Sequence, residues 1–166
     1  MKPFAIFACL TLPATVSCAA QRTKPNWIER GSGVLRDERA FVGVGKADAI
    51  RNAQVRRSVA ESRARLEVAK VLDSFVSAVL RLAGEGLRDE TEEWHAAQAL
   101  QGITNAGLNS VTVLEYWEDA NGTGWAIAHL SLSDYQVALR SSTEVPALFR
   151  ERVAEQMPAA FDHLAR

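Results

Sequence analysis

The residues most suggestive of chemistry lie in FVGVGKADAI, Phe41 to Ile50, where Gly43-x-Gly45-Lys46 separates an apolar run from a long helical pattern. Backbone amides in a glycine loop at a helix start can cradle a phosphate, and a neighbouring lysine can neutralise it. The spacing completes neither established phosphate device. A dinucleotide fingerprint needs a third glycine at the helix start and an acidic residue about 20 positions further on. The third-glycine position is Asp48, whose carboxylate repels phosphate. A P-loop needs Ser or Thr after its Gly-Lys, and Lys46 is followed by Ala47. What remains is a steric reading, in which Gly43 and Gly45 sit where a strand and an alanine-faced helix approach too closely for a Cβ.

Other reactive groups are scattered. His95, His129 and His163 are far apart with no cysteine near them, so no metal-ligand spacing exists. Glu90, Glu92 and Glu93 form a charge cluster in a connection, which reads as solvated. Both cysteines, Cys9 and Cys18, fall at the N-terminus, leaving the body of the chain with neither a disulfide framework nor a thiol nucleophile. No Ser, His and Asp arrangement has suggestive local context. We therefore expect no catalytic residues, no metal and no cofactor, and a chain that is not an enzyme. Trp94, Trp117 and Trp125 form a candidate interaction patch. Trp117 and Trp125 flank a hairpin turn, so cross-strand packing is the simpler reading of that pair. The formal charge is −1, and the arginine-rich helix face alternates with glutamate and carries no interleaved aromatics, which excludes a nucleic-acid footprint.

The elements that must hold these residues follow from periodicity. MKPFAIFACLTLPATVSCAA combines one lysine, an apolar run from Phe4 to Leu12 and a zone of small residues, the layout of an export signal. The run is too short to span a bilayer, which takes about 20 apolar residues. A short polar tether, residues 19–26, leads into ordered structure around Pro25-Asn26-Trp27-Ile28. Val34-Leu35 and Phe41–Gly45 are strand-like. Ala47 to Leu82 has neither proline nor glycine, and Ala49, Ala53, Ala60, Ala64, Val68, Val71, Leu72, Phe75, Val79 and Leu82 recur at helical steps. Arg56, Arg57, Glu61, Arg63, Arg65, Glu67 and Lys70 fall on its other, solvent faces. Gly84 and Gly86 end the pattern, and a weaker helix follows from Glu92 to about Thr104.

NSVTVLEYWED, Asn109 to Asp119, alternates, with Val111, Val113, Glu115 and Trp117 on one side and Ser110, Thr112, Leu114 and Tyr116 on the other. A turn rich in Asn and Gly leads into a return strand, Trp125 to Leu132. Ser133-Asp134 offers an N-cap for a helix over Tyr135–Arg140, and Val145–Arg166 is a last helix disturbed by Pro146 and Pro158. At 166 residues the chain suits one domain. The expected fold class is α+β, a small antiparallel-containing sheet packed by one long helix and shorter helices.

These features resemble a known family. Val16-Ser17-Cys18 resembles the lipobox of bacterial lipoproteins, with Thr15 where an aliphatic residue is usual. The other reading is ordinary signal cleavage after Ala19 or Ala20. Pro25-x-Trp27, Phe41-Val42-Gly43-Val44-Gly45, Ala60-x-x-x-Ala64-Arg65-x-x-x-Ala69, Tyr116-Trp117-Glu118-Asp119 and Trp125–Leu130 together are similar to the LPP20 lipoprotein family. The likeness covers roughly Pro25 to Tyr135. The charged stretch Arg88–Glu93 departs from it, and the residues after Tyr135 have no counterpart. The expected organisation is a signal segment 1–18 ending at Cys18, the tether 19–26, an LPP20-like α+β domain 27–135 and a helical extension 136–166. The resemblance implies a lipid anchor at Cys18, an outer-membrane location on its periplasmic or surface face, and a scaffolding or protein-interaction role among envelope proteins. The alternative is a soluble periplasmic binding module for a small or peptide ligand.

Overall fold

A computed structural model describes residues 23–83, 102, 104–105, 107–143 and 147–165. The signal segment, the cluster Glu90–Glu93, Trp94, His95 and most of the expected second helix lie outside the described residues. The elements run α1 Asn26–Arg30, β1 Gly33–Leu35, β2 Ala40–Ala47, α2 Ala53–Ala83, β3 Thr112–Glu118, β4 Gly124–Ser131, α3 Leu132–Ser141 and α4 Ala147–Leu164. The four strands form one antiparallel sheet in the order β1-β2-β4-β3. The 31-residue helix α2 lies across one face of it, so the chain is α+β as its pattern implies.

β2 shows why the two glycines are there. Phe41, Gly43, Gly45 and Ala47 pair with Leu130, Ala128, Ala126 and Gly124 of β4, and this row faces α2. A Cβ built on Gly43 would stand 2.2 Å from the carbonyl oxygen of Ala64, and one on Gly45 would stand 2.1 Å from that of Ala60. Both obstacles are helix backbone, which cannot rotate aside. The glycines lie within the strand ladder and not in a loop, so the steric reading of Gly-x-Gly holds. On the helix side, Ala60 and Ala64 are fully buried, which lets backbone approach backbone.

The helix begins later than its pattern implies. β2 continues to Ala47, and Ala49, expected on the helical stripe, has φ 57° in the connection. The first turn forms at Asn52, whose Oδ1 accepts from the amide of Val55 at 3.0 Å. An N-cap at 52 overrides the alanine periodicity on its N-terminal side. Further along, Val68, Leu72, Phe75 and Val79 are buried as the stripe requires, Val76 is buried although it lay outside the stripe, and Ala53, expected on it, is exposed.

The core converges on Phe41. Its ring meets Phe75 at 4.8 Å, Phe161 at 5.4 Å and Tyr135 at 6.2 Å between centroids. Phe161 belongs to α4, and Val153, Met157 and Ala160 of the same helix are buried with it. Residues 136–166, set apart in the sequence as an extension, thus complete the core that the sheet and α2 begin. The N-cap of α3 is Ser131, whose Oγ accepts from the amide of Asp134 at 3.0 Å, in place of the expected Ser133-Asp134 pair. α4 passes through Pro158 without ending. Proline supplies no N–H to the carbonyl four residues earlier, here Ala154. Gln136 of α3 fills that role, its Nε2 donating to the Ala154 oxygen at 3.4 Å.

Gly43→Ala or Gly45→Ala should each cost about 3 kcal/mol in urea unfolding, at the upper end for overpacking, because helix backbone must move. Gly122→Ala, in a turn with open space but φ 75°, should cost only about 1 kcal/mol. Gln136→Met should cost about 1 kcal/mol by leaving the Ala154 carbonyl unpaired. That cost should largely vanish in a Pro158→Ala background, where the helix supplies its own donor, and a double-mutant cycle reads the coupling.

Candidate functional site

The sheet has a second face, directed away from α2. Val42, Val44 and Lys46 of β2 pair there with His129, Ile127 and Trp125 of β4. β3 adds Thr112, Glu115 and Trp117, the last directly opposite Trp125. The simple alternation expected for β3 fails at one point. Val113 pairs with Ala128 and Glu115 with Ile127, so Leu114 is an extra residue in a bulge. In consequence Val113 joins Tyr116 on the helix-facing side, while Glu115 and Trp117 stay outside. Leu114 projects 60% exposed at the sheet edge.

α1 lies on this outer face. Ile28 is buried, and Trp27 Nε1 donates to Glu115 Oε2 at 2.9 Å. Trp27, Trp117 and Trp125, all partly exposed, therefore share one side of the sheet. Trp94 of the expected patch lies outside the described residues, so the structure brings together two of the three predicted tryptophans and adds Trp27. That addition had a sequence signal, since Pro25-x-Trp27 opens ordered structure, but its partner is 88 residues away. Lys46 Nζ sits 5.6 Å from the Trp125 ring centroid and 3.2 Å from Asp48 Oδ2. The ammonium beside Asp48 holds that carboxyl below its ordinary range. Lys46 and the two glycines thus occupy opposite faces of β2, which separates the pieces a phosphate loop would combine. Trp117 Nε1 is buried and has no hydrogen-bond partner among the described residues.

At the turn end of the hairpin a polar clasp joins sheet to helix. Arg56 Nη2 donates to Glu118 Oε1 at 2.7 Å and Arg56 Nε to Glu118 Oε2 at 3.3 Å. The Tyr116 hydroxyl donates to Glu118 Oε2 at 3.0 Å, and Arg56 Nη1 also donates to the Ile50 carbonyl. Arg57 stacks over the Tyr116 ring at 5.4 Å. Arg56 is 8% exposed, a correction to its expected place on the solvent face. Helical periodicity cannot reveal a partner 62 residues away. The Arg56 guanidinium, followed by the Tyr116 hydroxyl, holds the Glu118 carboxyl below its ordinary range. Burial pushes the Tyr116 phenol up. Gly124 leaves the space that the Tyr116 ring fills, since a Cβ there would come within 2.5 Å of the hydroxyl.

Clefts on the surface of the described residues are open to solvent and have mixed polar and apolar linings. One of about 370 Å³ runs past Asp37, Glu38, Arg39, Ser131 and Gln136. Its groups already have structural work: Ser131 caps α3, and Arg39 pairs with Asp162 at 3.2 Å and stacks on Phe161 at 5.2 Å. Among the described residues no three His, Cys, Asp or Glu side chains are placed to hold a metal ion. His129 lies on the outer sheet face and His163 near the end of α4. No family model, curated protein or solved structure matches this chain.

The clasp has a definite pH signature. A carboxyl whose pKa is lowered on folding contributes stability that is full above its unfolded pKa and is lost as pH falls through the folded value. Glu118→Gln should therefore lower the urea midpoint at neutral pH, and the difference from the parent chain should shrink as pH falls below the ordinary glutamate range and the parent's Glu118 takes up its proton in the folded state. A difference that is constant with pH would place the effect in packing.

Proposed function

We propose that this chain is a lipoprotein anchored in the outer membrane of a bacterial envelope through Cys18, with a non-enzymatic scaffolding or protein-interaction role. The observation that carries the reading is an export-type segment closing on Val16-Ser17-Cys18, with α1 starting at Asn26, eight residues on. A diacylglyceryl thioether at Cys18, with an acyl chain on its amino group, would give the several-chain anchoring that one chain cannot provide. No helix among the described residues is long and apolar enough to cross a membrane. The similarity of Pro25–Tyr135 to the LPP20 lipoprotein family supports the same reading. The core between sheet and α2 is filled by Phe41, Phe75, Tyr135 and Phe161, which fits a scaffold better than a container.

A second reading, a soluble periplasmic binding module, draws on one specific observation. Trp27, Trp117 and Trp125 share a sheet face with exposed Lys46 and Glu115, an aromatic surface with polar edges. Metabolic labelling with a palmitate analogue separates the two. Anchoring predicts label in the parent chain, its loss in Cys18→Ser, and release of that variant into the periplasm. An unlabelled parent chain recovered from the soluble periplasm would favour the binding module.

A further inference from the structure

Resting on the anchoring reading above, we propose that the tryptophan face of the sheet lies against the headgroup layer of the membrane that holds Cys18. Residues Ala19–Lys24 separate Cys18 from Pro25. At about 3.5 Å per residue, the seven steps from Cys18 to Pro25 reach no further than about 25 Å. A compact unit of roughly 140 residues has a radius of gyration near 14 Å and is about 37 Å across. The anchor therefore cannot pass around the molecule to the side covered by α2 and α4. Pro25 leads straight into α1, and α1 is fixed to the outer face through buried Ile28 and the Trp27–Glu115 bond. The short tether thus starts from the very side on which the tryptophans lie.

The chemistry of the two sides agrees with that placement. Tryptophan combines a large apolar ring with one N–H donor and concentrates where lipid meets water. Trp27, Trp117 and Trp125 are all on the outer face. Of the charges around them, Lys46 pairs with Asp48 and Lys24 with Glu29, each at 3.2 Å, and Glu115 accepts from Trp27 Nε1 at 2.9 Å. Approach to headgroups therefore strips no unpartnered ion from those groups. On the far side α2 exposes Arg57, Arg63, Arg65 and Lys70 to water. Leu66 is 61% exposed on that same helix and marks the side that should stay clear of lipid.

The test places an environment-sensitive fluorescent amino acid at Thr112, exposed on the outer face, or at Leu66 of α2, in the full chain. Mass measurement of the chain purified from membranes first reports whether Cys18 is acylated, which decides the anchoring reading by itself. The acylated chain is then moved from detergent into vesicles of phosphatidylethanolamine and phosphatidylglycerol. Quenching by aqueous iodide should fall several-fold at position 112 and stay unchanged at position 66. If no acylation is found, full chains made without export, so that Cys18 is retained, and carrying Cys9→Ser are coupled through Cys18 to a maleimide lipid in the same vesicles and read in the same way. Equal quenching at the two positions in the attached chain, or stronger protection at 66, overturns the membrane apposition however the attachment was made.

Discussion

The backbones of β2 and α2 meet with no room for a Cβ between them, and the rest of the fold is arranged around that contact. Gly43 and Gly45 remove two side chains where carbonyls of Ala64 and Ala60 stand within about van der Waals reach of the strand. Because that contact is so tight, α2 can carry only alanine over the middle of the sheet, and large side chains must collect at one end. There Phe41, the last bulky residue before the glycines, turns its ring into Phe75, Tyr135 and Phe161. The fold therefore has a thin end, made of glycine against alanine, and a thick end, made of aromatic rings.

The thick end explains why the C-terminal helices are needed. α2 and the sheet leave Phe75, Val76 and Val79 facing a gap, and α4 fills it with Val153, Met157 and Phe161. Several polar devices fasten that helix. Arg39, held at φ 45° in the β1–β2 turn, stacks on Phe161 and pairs with Asp162. Gln136 supplies the donor that Pro158 withholds. Tyr135 is buried with its hydroxyl unpartnered among the described residues, and burial pushes its ionisation far above the ordinary phenol range. The ring is used for packing, in the company of Phe41 and Phe75.

The thin end closes differently, by charge. Arg56 and Glu118 tie the start of α2 to the tip of the β3–β4 hairpin. With one sheet face occupied by α2 and the ends fastened by α4 and this clasp, chemistry is left to the outer face. That face offers the rings of Trp27, Trp117 and Trp125 with the charged side chains of Lys46 and Glu115 among them. The contact role proposed above draws on that face.

Much of this was legible in the chain. The glycine pair opposite an alanine stripe, the hairpin with its Asn-Gly turn, and the fold class all follow from local spacing, because period and steric size are properties of neighbours in sequence. The Trp117–Trp125 pair was legible for the same reason, since a short turn fixes cross-strand register. Cys18 is a feature of sequence alone and lies outside the described residues. Other features needed the third dimension. The bulge at Leu114 moved Val113 to the helix side, and no local pattern announces an extra residue in a ladder. Arg56 looked like one solvent-facing arginine among several until Glu118 met it, and Trp27 joined the outer face only through Glu115. The helices after Tyr135 looked separable because their apolar stripe had no visible counterpart nearby. Sequence determined which elements form and which faces are apolar. Tertiary structure alone decided which polar groups are paired and where the core ends, because those depend on contacts between residues far apart in the chain.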